Sequence, residues 1–471
     1  MKKENQMKTS TLFLLGAVLF SMANPLMAYE GINAVVQDDM VWKKNFGNSA
    51  GMDDYTYFNS VIAVSDGSIA VGYTSASSFG KGDWAGVTGK GDGDAIIVKY
   101  DKAGSVVWKK NFGGQHNDEF HAVTEVPGGV VAVGFSMNCQ TGDWADVEER
   151  NNFAEQAIIV KFDHKGNVVW KNYFGGRYFD KFNSVVAVSD GIIAVGNGCT
   201  SSYQPENSDL FGLEGRGSND AIIVKYDFNG NVRWKKNFGG GYWDDFRSVT
   251  VVPGGVVAVG VSDCNNLGSF EDGLYAKSDW AGIKGKNNED SEDRDAIIVK
   301  FDNAGNVVWK KLFGGKGRDE FNSVTAISDG IIAVGYSQSA SFGAHDWAGV
   351  AGKGKWDAIL VKYDFNGNMV WKRNFGGSNE DAFHSVATVS DGFVAAGFSV
   401  GGSFGTGDWA GFKKLGQFYV AVIVKFDNKG NAVWKKNFAD GREYKGVAVA
   451  SDGVIATGCF EKNGIVVKYT K

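Results

Sequence analysis

Proline is almost missing from this chain: 4 residues in 471, beside 4 cysteines and 5 histidines. With so little proline and no three-residue glycine period, a collagen-like or proline-rich disordered polymer is excluded. Cys139, Cys199, Cys264 and Cys459 are too few for a disulfide framework in this length. Buried thiols are the expected state, with one bridge between neighbouring repeats as the alternative. The histidines, at 116, 121, 164, 345 and 384, belong to no G-x-S-x-G elbow, H-E-x-x-H helix or Cys/His zinc spacing. Helical periodicity is absent throughout. Excess positive charge is absent as well: the formal charge is −6, so nucleic acid is not an expected partner.

Long apolar runs are also lacking, apart from one near the start. Residues 1–28 hold Lys2, Lys3 and Lys8, then the apolar stretch Thr11–Ala23, then small residues at Ala23 and Ala28. That is the charged, apolar and small-residue order of a secretory signal peptide, and the stretch is short for a bilayer span. Cleavage is expected near 23 or 28, leaving 29–471 as one domain. Removing Lys2, Lys3, Lys8 and Glu4 moves the formal charge to −8. A secreted or cell-surface monomer with no transmembrane segment after cleavage is the expectation.

What the chain has in abundance is glycine, 66 residues, and its cause is repetition. Trp42, Trp108, Trp170, Trp234, Trp309, Trp371 and Trp434 each sit in a version of V-W-K-K-N-F-G-G, 62 to 75 residues apart. Three further segments recur between them, of the types SVxAVSD, IIAVGY and AIIVKYD. Each is short, rich in Val, Ile and aromatics, and bounded by Gly or Asp, so each reads as a strand. Ser-Asp-Gly or Pro-Gly-Gly joins the first two, and Asp-x-x-Gly-Asn joins the last two. Seven four-stranded antiparallel meanders predict an all-β, seven-bladed β-propeller. The orphan Trp strand at 40–46 and the orphan last strand at 464–470 are expected to pair and close the ring.

The stretch AIIVKYDKAGSVVW, residues 95–108, resembles the tryptophan-docking repeat of quinoprotein-type propellers, with a turn one residue shorter. The whole unit is more similar to the bacterial extracellular β-propeller repeat family. That resemblance implies that the AIIVKYD–Trp hairpin is outermost and SVxAVSD innermost; for function it implies little.

In such meanders the long second-to-third-strand loops and the blade-to-blade loops share one face, where binding commonly resides. The long loops carry a repeated motif: Asp83-Trp84, Asp143-Trp144, Asp279-Trp280, Asp346-Trp347 and Asp408-Trp409, with Asp209-Leu210 in blade 3 and none in blade 7. Six residues after the Trp position stands a base, Lys90, Arg150, Arg216, Lys286 or Lys353, with Lys414 out of step in blade 6. Two readings stand side by side. In one, each loop is a self-contained lid whose Trp plugs the groove between blades and whose Asp pairs with the loop base or caps backbone amides. In the other, Trp is a stacking platform and Asp with Lys or Arg hydrogen-bonds the hydroxyls or carboxylates of a carbohydrate.

A second series, Asp118, Asp180, Asp245, Asp319 and Asp381, lies ahead of the innermost strands. It is expected near the channel mouth, capping loop amides or, as a weaker alternative, holding Ca²⁺. Otherwise no cofactor is expected. The functional expectation is an exported, non-catalytic module binding carbohydrate or a cell-surface polymer through the Asp-Trp loops. The alternatives are a glycosidase or lyase using carboxylates on that face, and a protein-interaction scaffold. The longer loop of blade 4, with Phe270, Glu271, Tyr275 and Trp280, is the place to look for an asymmetric site.

Overall fold

The computed structural model describes residues 39–47, 54–137, 141–147, 154–176, 178–203, 208–263, 278–280, 283, 285–286, 294–416, 418–438 and 441–470. Residues 1–28, expected to be a signal peptide, and Cys139, Arg150, Cys264, Phe270, Glu271 and Tyr275 lie outside them. Seven four-stranded antiparallel sheets form a seven-bladed β-propeller. In blade 1 the strands are Thr56–Val64, Gly67–Ser75, Gly93–Asp101 and Val106–Phe112, paired in chain order. Blade 7 takes its outer strand, Met40–Phe46, from the start of the described chain; it pairs antiparallel with Asn463–Tyr469 in a register that sets Lys44 opposite Val466. Among the described residues the helices are 3₁₀ turns of three or four residues, and no helix is long and apolar enough to cross a membrane.

Local chemistry explains why each blade forms. In the Asp-x-x-Gly-Asn turn the Asp carboxylate accepts several donors at once: Asp163 takes the Lys165 N–H (2.8 Å), the Asn167 N–H (2.8 Å) and the Asn167 amide (2.9 Å). The turn glycine has positive φ, +78° at Gly104, which a side chain would resist. There is also no room for one, because a Cβ on Gly104 would lie 2.7 Å from the Trp42 ring. Except in blade 6, where the next blade has no such turn, the Trp of each outer strand lies against the next blade's turn: Trp42 Nε1 donates to Lys102 O (3.0 Å) just as Trp108 Nε1 donates to His164 O (3.1 Å).

The hairpin between the first two strands is tied in two sequence-dependent ways. Where it reads Ser-Asp-Gly, the buried lysine of the third strand reaches the Asp, as in Lys99–Asp66 at 2.7 Å. Blades 2 and 4 have Pro-Gly-Gly and no Asp, and there Lys161 and Lys300 donate instead to the Phe228 and Phe365 carbonyls of the following blade (3.3 and 3.2 Å).

The core lies between blades. One cluster joins Ile69, Val71 and Ile97 of blade 1 to Phe120, Val123 and Ile158 of blade 2, all buried. The first strands face one another around the centre, where Ser323 and Ser385 hydroxyls accept the Val386 and Val447 N–H groups of the next blade (3.2 and 3.1 Å).

Candidate functional site

The Asp-Trp loops are locks between blades. In each, the Asp N–H donates to the carbonyl of the glycine that ends the preceding blade's outer strand, and the Asp carboxylate accepts that glycine's N–H. The two distances are 2.9 and 2.9 Å for Asp143 with Gly113, and 3.1 and 3.0 Å for Asp346 with Gly314. Asp83 does the same with Gly47, and Asp279 with Gly239. The base that neutralises each Asp comes from the preceding loop and not from its own: Lys90 pairs with Asp143, Arg216 with Asp279 (3.1 Å), Lys286 with Asp346 and Lys353 with Asp408 (2.7 Å). The Asp caps a backbone amide as the lid reading expected, but its pairing with the base of its own loop is corrected: the loops form a chain of cross-blade latches. Blade 7 lacks the loop, so Asp83 has no such base.

The tryptophans complete the lock. Trp84, Trp144, Trp280, Trp347 and Trp409 are all 0% exposed. Each meets the Phe of the preceding outer strand edge-on, with ring centroids 4.9–5.2 Å apart and planes at 80–89°, the favourable T-shaped arrangement. Leu210 fills the position in blade 3 and is equally buried. A ring with no exposed face cannot stack on a sugar, so the expectation that these five tryptophans form binding platforms is overturned.

The second Asp series is buried beneath the latches. Asp118, Asp180, Asp319 and Asp381 open the first strands, and the blade 4 counterpart is Asp244, paired opposite Ser262 as Asp118 is opposite Ser136. Asp245, expected in this series, directly precedes Phe246 and points to the other side of the strand. Asp319 shows how such a carboxylate is held: Oδ2 accepts the Gly315 N–H (2.8 Å) and the Ser341 hydroxyl (2.8 Å), while Oδ1 accepts Ser337 Oγ and Trp347 Nε1 (3.1 Å). Burial pushes Asp118 up to about 8 and Asp244 and Asp319 up to about 7, against these donors. The carboxylates cap their own loops, and among the described residues no group of three His, Cys, Asp or Glu is placed to hold a metal ion.

Chemical variety is concentrated one residue further along. Every first strand carries a β-bulge directly after its conserved-in-chain aromatic, for example between Phe58 and Ser60. A bulge inserts one residue and re-aims its side chain. The seven bulge residues are Asn59, His121, Asn183, Arg247, Asn322, His384 and Lys445. All are polar, and they link neighbouring blades around the channel mouth. Asn59 donates to Glu119 (2.7 Å) and Phe120 O (3.0 Å), His121 Nδ1 meets Phe182 O (3.0 Å), and Asn183 donates to Asp245 (2.6 Å). Arg247 donates to Glu320 and to Asn322 (2.7 Å), His384 lies 3.4 Å from Glu443, and Lys445 returns to Asn59 (3.3 Å). Burial drives His121 toward the neutral form and raises Asp245. Burial works against the Glu320 charge, but Arg247 and Arg318 together hold its carboxyl below the usual range.

Aromatic side chains stand exposed on this same face. Tyr55, Tyr178, Phe179 and Tyr242 come from blade-to-blade loops, and Phe418 and Tyr419 from the end of the blade 6 long loop. Tyr55 and Phe179 share the position three before the first-strand aromatic, and Tyr178 and Tyr242 the position before that, but the other blades carry other residue types there, so no recurring motif marks them. The signal available for the bulge residues was the uniformly polar residue after each first-strand aromatic.

No family model matches the chain. Over 219 residues, 45% of its length, the chain is 27% identical to the regulatory protein FlaEY of Caulobacter vibrioides, and the match spans 22% of that protein. The chain thus covers about a fifth of that curated relative. Among solved structures, the WD40 β-propeller domain of Doa1 covers 91% of this chain, and the match takes in 96% of that domain, at 8% identity and a TM-score of 0.47.

Proposed function

We propose that this propeller is an exported, non-catalytic binding module that recognises a protein partner on the long-loop face, around the channel mouth. One observation carries the reading: the blades repeat one another in core, turns and latches, yet differ from blade to blade at the mouth and in the exposed rings of Tyr55, Tyr178, Phe179, Tyr242, Phe418 and Tyr419. Exposed aromatics on rigid loops around a polar centre are the composition of interaction surfaces. Single exposed apolar residues need no explanation, but six on one face of a propeller do.

Carbohydrate is the second reading. It now rests on these exposed rings, since the tryptophans assigned to it are buried. The test is a photo-crosslinking amino acid placed at Phe179 or Tyr242, with Val308 on the blade rim and Val251 near the hairpin face as controls, in the cell that makes the protein. A discrete protein adduct from Phe179 and Tyr242 alone is the expected result. Adducts from all four sites, or none from the first two while a glycan array gives saturable binding, overturns the protein reading.

A further inference from the structure

Three guanidinium groups meet on the long-loop face where blades 4 and 5 join. Arg247 and Arg318 both bind Glu320, through Arg247 Nη1 and through Arg318 Nε (2.6 Å) and Nη2 (2.5 Å). Glu320 is 2% exposed, so its lone pairs are taken by these two partners. The third group, Arg294, makes no hydrogen bond or ion pair among the described residues. Its guanidinium carbon lies over the Trp243 ring, 4.0 Å from the centroid. Trp243 Nε1 is itself buried without a partner.

A guanidinium held over an aromatic ring, its N–H groups not engaged by any described residue, can bind a planar oxyanion through two parallel N–H bonds. The stack fixes the fork beforehand, so little side-chain freedom is lost on binding. At the same place at the start of the third strand the other blades carry Gly93, Glu155, Asn219, Trp356, Tyr419 and Lys462, so Arg294 is the one guanidinium in the series. Exposed Tyr242 stands beside it in the chain next to Trp243, and Arg318 is partly exposed on the adjoining blade.

We infer that Arg294, stacked on Trp243 and flanked by Arg318, is a carboxylate-binding site that takes an acidic side chain of the protein partner. This inference rests on the protein-binding reading of the same face. The charged groups acting on Arg294 are Arg318 and Arg247, which repel it, and Glu320 and Asp263, which attract it; burial, then Arg318, lowers its affinity for the proton. An added carboxylate offsets that repulsion. The exposed rings next to it would contact the apolar parts of the same segment.

The test titrates the full mature chain by calorimetry with a blocked tetraglutamate peptide and its tetraglutamine counterpart. Tetraglutamate is expected to bind saturably, more weakly as salt rises, and tetraglutamine not to bind. Arg294→Met should lower the affinity by about tenfold or more, with Arg294→Lys losing less. Because the Arg294 guanidinium has no hydrogen bond to any described residue, the Arg294→Met melting curve should lie close to the parent's. Equal affinities for Arg294→Met and parent, equal binding of the two peptides, no binding up to about 1 mM, or preference for a uronic-acid oligosaccharide over tetraglutamate each overturns the site. The crosslink from Phe179 keeps the two readings apart: an adduct that persists undiminished in Arg294→Met removes this site and leaves the protein-binding face standing.

Discussion

Replacing Trp347 by alanine separates a latch from a ligand platform. The ring is fully buried, packs edge-on to Phe313 (5.1 Å) and against Phe342 (4.8 Å), and donates to Asp319 (3.1 Å) and Ser337 (3.0 Å). Truncating a buried Trp costs about 3–5 kcal/mol, and the loss of a donor to the buried Asp319 carboxylate adds about 1 kcal/mol or more. For an unfolding entropy of about 2 cal/mol/K per residue, a loss of about 4–5 kcal/mol lowers Tm by about 5 °C if the ring unfolds as one unit. Trp347→Phe keeps most of the ring and loses the N–H, so about 1–2 kcal/mol is expected. Tyr242→Ala, at an exposed ring, should change stability by less than about 0.5 kcal/mol. Calorimetry on the three variants decides. A Trp347→Ala protein with the parent Tm and a lost ligand would refute the latch and restore the platform.

Other consequences are testable in the same way. Removing residues 29–47 strips blade 7 of its outer strand and exposes the edge of Asn463–Tyr469; Tm should fall sharply, and an unchanged value contradicts the closure. Asp346→Ala should cost about 1–3 kcal/mol because the Gly314 N–H loses its acceptor, whereas Lys286→Ala removes one partly exposed ion pair and should cost about 0.5 kcal/mol; equal losses would contradict the latch geometry. Asp118, Asp244 and Asp319 have folded values of about 8, 7 and 7 against an ordinary 3.8. The folded state therefore favours their neutral forms, and their contribution is complete below about pH 4 and lost as pH rises through 7–8. Urea midpoints of the parent should fall across that window, and the triple Asp→Asn variant should show a flatter profile. A parent midpoint that rises with pH there opposes the assignment.

The fold was legible because each blade repeats its turn chemistry: the Asp-x-x-Gly-Asn and Ser-Asp-Gly turns mark strand ends wherever they occur. The Asp-Trp motif was equally legible as a motif, but not its role. Sequence shows that Asp143 and Lys90 recur; it does not show that Lys90 serves the following loop, since that pairing depends on how far one blade leans over the next. Asp245 is the wrong half of Asp-Asp-Phe: blades 2, 3, 5 and 6 set the Asp two residues before the Phe, a spacing that in blade 4 belongs to Asp244 and is legible in the sequence. The channel-mouth ring, by contrast, was hidden. Asn59, His121, Arg247 and Lys445 share a bulge and a position but no residue type, so a search for repetition discards them. Arg294 is hidden in the same way: its position holds a different residue type in every blade, and only Lys462 in blade 7 is also a base.

Hydroxyl-radical footprinting read by mass spectrometry tests the central claim most directly, because it reports every aromatic side chain in one experiment on the native protein. Trp84, Trp144, Trp280, Trp347 and Trp409 should be protected, while Phe179, Tyr242, Phe418 and Tyr419 should be oxidised readily, as their burial and exposure require. Oxidation of the five latch tryptophans at the rate of Tyr242 would contradict the account and return binding to the Asp-Trp loops.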